Sequence, residues 1–157
     1  MAASHAAQPL SALLAGGTLA LGIIGAFALP MLSYQNPYYG SGDLSLMNSF
    51  RAIGEDDGFA AWPFVVSAIA LACAFLGVYA HFNRSDQGKL LIVVGAGVAL
   101  ALPIYLWNEL NKIASELEAD GTLADLGSGM IVFSGCMLVA IVLGLFGSQL
   151  DAALRDR

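Results

Sequence analysis

The chain has 157 residues, of which 58% are hydrophobic and only 11% charged, and its formal charge is −6 from six bases and twelve acids. A soluble domain carries about 25% charged residues, so water is the wrong solvent for this composition, and the acidic balance excludes nucleic acid, whose phosphates need a basic surface. The length sets a single domain, 1–157, and the two cysteines, Cys73 and Cys136, form no CxxC pair, which argues against a disulfide framework or a thiol-redox centre.

Four stretches lack Asp, Glu, Lys and Arg: 10–33, 60–82, 90–108 and 126–149. Each is long enough to cross hydrocarbon at about 1.5 Å per residue. The expected fold is therefore an all-α integral membrane four-helix bundle with four transmembrane helices.

The first stretch has a small-x-small triplet, Ala26-Phe27-Ala28, that imitates a signal cleavage site. It lacks a basic residue before Leu10 and outruns a signal core of roughly 7–15 residues. It reads as an uncleaved spanning helix. Pro30 lies near its end.

The loop 34–59 follows, opening with Tyr34, Tyr38 and Tyr39 and carrying Asp43, Glu55, Asp56 and Asp57. Its middle, 44–53, has the pattern of a short amphipathic helix. Trp62 opens the second span and Pro63 occupies its first turn, where a missing N–H costs little.

A short link, 83–89, holds Arg84 and Lys89, and the tail holds Arg155 and Arg157. Arg51 and Lys112 are the remaining bases, so most of the positive charge shares one side. By the positive-inside bias both termini and the 83–89 link are cytoplasmic, and the loops 34–59 and 109–125 face outward. The expected location is the cell (inner) membrane. Tyr105 and Trp107 close the third span, so Tyr34, Tyr38, Tyr39, Trp62, Tyr105 and Trp107 form an expected aromatic belt at one headgroup level.

Beyond Trp107, apolar residues at 110, 113, 114 and 117 alternate at helical spacing with Glu109, Lys112, Glu116 and Glu118. The third helix should continue past the bilayer and stop at Asp120-Gly121. The run Glu116-x-Glu118-x-Asp120-Gly121 faintly imitates a calcium loop, but Gly127 stands where its closing Glu belongs. The polar face of a helix extension explains the same residues.

Lipid supplies no hydrophobic drive between helices, so close backbone contact must hold them together. Small residues at every fourth position provide it: Ala12, Gly16 and Ala20 in the first span, and Cys136, Ala140, Gly144 and Ser148 in the fourth. These ridges serve either the bundle itself or lateral docking on another membrane protein or a second copy.

No span carries an ionisable group away from its ends, which leaves a proton or ion path without its usual groups. His81 lies at the edge of the second span with no carboxylate in register and reads as a boundary residue. Neither histidine has a serine placed for a triad, and the sequence calls for no cofactor, metal or catalytic residue. Four spans, inside termini, a longer first outer loop and a short inner turn resemble the claudin-type tetraspan plan. The Gly-Leu-Trp and paired-cysteine pattern of that family is absent, so no strand-forming role transfers to any residue.

The expected function is a non-enzymatic accessory or scaffold subunit, with lipids and a membrane protein or its own copies as partners. An oligomeric channel or transporter for a neutral or weakly polar solute is the second reading. An enzyme using the Trp107 to Lys112 region is the third.

Overall fold

The computed structural model describes residues 9–38, 40–48, 62–83, 85–118, 121 and 123–155. Their elements run α1 (Leu10–Ala28), β1 (Leu32–Asn36), β2 (Gly40–Leu44), α2 (Trp62–Phe82), α3 (Asp86–Ala99), α4 (Ala101–Glu118), β3 (Leu123–Leu126) and α5 (Ser128–Arg155). Four spans are long and apolar enough to cross a membrane, with α3 and the first half of α4 forming the third. The chain is a multi-pass integral membrane protein built as a four-helix bundle.

Proline sets two of the boundaries. Expected to reach residue 33, the first helix ends at Ala28, because Leu29 precedes Pro30 and is forced extended, at φ −108° and ψ 154°. The Leu29 amide still closes the last turn on the Gly25 carbonyl at 3.0 Å. In the third span, Pro103 cannot donate to the Ala99 carbonyl and its ring crowds that oxygen. The helix accordingly breaks at Leu100 and resumes at Ala101. Past the break, α4 runs on to Glu118, the helical extension that the 110–117 spacing requires.

The sheet was not expected. Its order is β2-β1-β3, antiparallel throughout, so both loops at that end contribute strands. Main-chain bonds join the residues flanking its strands to one another and to the start of α5: Met31 N–H donates to Leu44 O at 2.8 Å, Gly127 N–H to Met31 O at 3.0 Å and Gly129 N–H to Pro30 O at 2.8 Å. Side chains alternate across a strand. Leu32 is buried and Leu44 half-buried against the bundle, while Ser33, Gln35, Ser41, Asp43, Asp125 and the exposed Leu123 share the opposite face. Ser33 Oγ donates to Asp43 Oδ1 at 2.7 Å across that face. Of the expected amphipathic segment 44–53, residues 46–48 are helical and the rest lies outside the described residues.

Two tight helix pairs make the bundle, α1 with α5 and α2 with α3, joined by α3 against α5 and more loosely by α1 against α2. Backbone meets backbone between α2 and α3. A Cβ on Gly77 would stand 2.7 Å from Gly88 O, and one on Gly95 would stand 2.5 Å from Ala70 O. Only hydrogen fits there. Ala70, Ala74, Ala96 and Ala99 continue the same seam, all buried. The centre is filled by Leu19, Ile92, Phe133 and Met137, each no more than 2% exposed.

The small-residue ridges lie mostly within this packing. Ala12, Ala140 and Gly144 are buried, Gly16, Ala20 and Cys136 are half-buried, and Ser148 is exposed. A Cβ on Gly144 would lie 2.7 Å from Val93 Cγ2 on α3. Gly144→Leu should therefore weaken the fold of a single copy, while Ala72→Leu, on an exposed position of α2, should not. Native-gel migration in mild detergent checks this: wild-type mobility is expected for the Ala72 variant, and loss of the discrete band for the Gly144 variant.

Of the six aromatics expected in the belt, Trp62 is exposed at the start of α2, Trp107 is exposed midway along α4, and Tyr105 is half-buried. Tyr34 belongs to β1, with its ring over Gly42, and Tyr38 is 83% exposed in the turn after that strand. Tyr39 lies outside the described residues.

Candidate functional site

Two places in the bundle depart from plain packing. One is at the end away from the sheet, where the start of α1, the end of α2 and the end of α5 converge. Ser11 Oγ lies 2.6 Å from Asp151 Oδ2 and 2.9 Å from His81 Nε2, and the Ser11 amide donates to Asp151 Oδ1 at 3.0 Å. Ser11 and His81 are buried.

The direction of the hydrogen bonds decides what this cluster can do. An ionised carboxylate only accepts, so the serine proton points at Asp151. Ser11 Oγ must then accept from His81, which assigns the Nε2–H tautomer. In a hydrolytic triad the imidazole sits between serine and acid and takes the serine proton. Here the serine occupies the middle and its proton is directed at the acid, so His81 cannot act as its base. The cluster is a clamp joining three helices.

The reading of His81 as a boundary residue without a carboxylate is thereby corrected. Its own helix supplies none, as the spacing says. The carboxylate comes through Ser11 from α5, at sequence separations of 70 and 140 residues that no local pattern reveals. Beside the clamp lies a shallow depression of about 260 Å³ that Asp86, Lys89 and Ser148 help to line. Lys89 pairs there with the exposed Asp86 at 3.4 Å, a contact worth about 0–1 kcal/mol.

The second place is an apolar cavity of about 320 Å³ near the sheet end, where α1 and α2 diverge. Ile23, Ala26 and Phe27 form one wall and Phe64, Ser67, Ala68 and Leu71 the other. Leu102 and Phe133 form the floor, and Leu46 with Met47, just after β2, roofs the end nearest the sheet. Phe27 and Ala68 are exposed and mark a mouth that opens sideways between the helices, toward lipid. Ser67 is 2% exposed, and its hydroxyl has no hydrogen-bond partner among the described residues. Sequence reasoning did not single out Ser67; a lone serine in an apolar span was the available signal.

The Trp107 to Lys112 region presents a surface pair. Glu109 accepts from Lys112 at 2.7 Å and, by that bond and its charge, holds the ammonium above its usual range. The described residues contain no group of three or more His, Cys, Asp or Glu side chains arranged to hold a metal ion. No protein-family model, curated protein or solved structure matches the chain.

Proposed function

We propose that the chain is a small membrane subunit without chemistry of its own, which assembles laterally with a second membrane protein or with its own copies. The sheet is the observation that carries this reading. It is a cap whose flanking residues Pro30 and Met31 accept main-chain bonds from Gly129 at the start of α5 and from Gly127 just before it, with an apolar face on the bundle and a face of Ser, Gln and Asp with the exposed Leu123 turned away. Its edge strands are β2 and β3. An edge strand offers main-chain donors and acceptors to a strand of another chain. The ridges on α1 and α5 close this chain's own bundle, which moves the docking surface to the sheet and the lipid-facing sides. The excess of Lys and Arg at the other end supports a cytoplasmic placement of that end.

A photo-crosslinking amino acid in place of Ser41, an exposed position on β2, tests the reading in intact membranes. The expected result is a protein adduct of one fixed mass. Adducts to lipid alone would remove the reading. Solute passage would have to run between copies, since Leu19, Ile92, Phe133 and Met137 fill the centre of one copy. Flux through liposomes holding the purified chain alone would put an oligomeric channel in place of the subunit role.

A further inference from the structure

We infer that the cavity between α1 and α2 binds a neutral, membrane-dissolved molecule whose compact head bears a carbonyl, held by a hydrogen bond from Ser67. Three observations converge on that chemistry.

The hydroxyl comes first. A buried polar group without a partner costs about 1–3 kcal/mol, and among the described residues Ser67 Oγ is the one buried side-chain oxygen or nitrogen in that state. It lines a cavity whose other walls are carbon and the Met47 thioether. A hydroxyl there has a proton to donate, and among the described residues no group is placed to receive it. A ligand carbonyl supplies the acceptor.

Size and roof then narrow the ligand. An apolar cavity of about 150 Å³ takes one benzene, so about 320 Å³ takes a head of roughly a dozen heavy atoms, the dimensions of a bicyclic ring. Among the described residues, Leu46 and Met47 border the end toward the sheet, and no charged side chain lines the cavity. An ionised headgroup finds no counter-charge among those residues. That selects against a phospholipid, which must keep its head wet. Ser67 lies five residues into α2 from Trp62, about 7 Å deeper along the helix axis. The bound head therefore sits below the aromatic rim, and any hydrocarbon tail leaves through the mouth at Phe27 and Ala68.

The experiment uses the full chain in nanodiscs, with 2-methyl-1,4-naphthoquinone and 2-methylnaphthalene as the two probes. These differ in the two carbonyls, so their ratio of affinities isolates the hydrogen bond from general greasiness. Binding is read by equilibrium partition of each probe between protein-loaded and empty discs. Wild-type discs should show saturable uptake of the quinone and prefer it over the hydrocarbon. Ser67→Ala should weaken quinone binding about 3- to 10-fold, leave the hydrocarbon unchanged and abolish the preference. Its fold should be unharmed, because the lost hydroxyl has no partner among the described residues, and its circular dichroism and unfolding midpoint check this. Ala68→Phe, at the exposed mouth, should block both probes. Uptake no greater than in empty discs, an unchanged preference in Ser67→Ala, or a phospholipid chain found in the cavity at fixed stoichiometry would each overturn the inference.

Discussion

Gly95→Ala is expected to damage the bundle severely, and Gly97→Ala, two residues away on the same helix, to be harmless. A Cβ on Gly95 would stand 2.5 Å from Ala70 O, 2.7 Å from Ala74 N and 2.8 Å from Ala74 Cβ. Two of these are main-chain atoms of a helix whose own hydrogen bonds fix them, so the neighbour cannot swing aside as a side-chain tip could. The helices must separate instead, and the buried seam of Ala70, Ala74, Ala96 and Ala99 opens with them. Overpacking generally costs about 1–3 kcal/mol, and the upper end or beyond applies when backbone is the obstacle. Nothing lies within 4 Å of a Cβ on Gly97, so Ala there gains the usual helix preference of about 0.5–1 kcal/mol over Gly. Unfolding by graded addition of a denaturing detergent, followed by tryptophan emission, measures both. Equal midpoints for the two variants would mean that α2 and α3 are not in contact along this seam.

Asp151→Ala is also expected to have a large effect. The carboxylate accepts from both the Ser11 amide and the Ser11 hydroxyl, and its removal strands two donors at the start of α1. One such buried donor costs about 1–3 kcal/mol, and His81 loses the ordered oxygen to which it donates. Asp151→Asn should fall between Ala and wild type, because an amide oxygen still accepts. Ser11→Ala combined with Asp151→Ala should cost less than the sum of the two single changes, since both remove the Ser11 Oγ–Asp151 bond. Asp86→Ala is the control: its side chain is 99% exposed in a surface pair, and it should shift the midpoint by no more than about 1 kcal/mol. If Asp151→Ala behaves like Asp86→Ala, the clamp contributes nothing to the bundle.

How far these features could be read from the sequence depends on the range of the forces behind them. Four spans are legible because hydrocarbon thickness acts on each segment separately, and a run free of formal charge is a local property. The small-residue ridges are legible as ridges, but whether Gly144 meets Val93 or a foreign helix is a question about a surface 51 residues away. The clamp is illegible for the same reason: nothing near His81 indicates Ser11 or Asp151. The strands fail differently. Leu32 and Tyr34 alternate with Ser33 and Gln35, a period-two signal, yet it spans only five residues and begins just after a proline. A tyrosine beside a span also fits a headgroup anchor, and that competing account absorbed Tyr34. The cavity is a gap between divergent helices, and no sequence pattern encodes an empty volume.

The pairing of α1 with α5 imposes an order on assembly. Ninety-nine residues lie between the end of α1 at Ala28 and the start of α5 at Ser128. At about 5–20 residues per second of synthesis, the first helix waits roughly 5–20 s before synthesis of its partner begins. During that interval Ala12, Leu19 and Ala26 face lipid or an assembly factor, while α2 and α3, only three residues apart in sequence, can already zip together. The ring closes last. Damage to α5 thus leaves the earliest-made segment uncovered, although that segment's own sequence is intact.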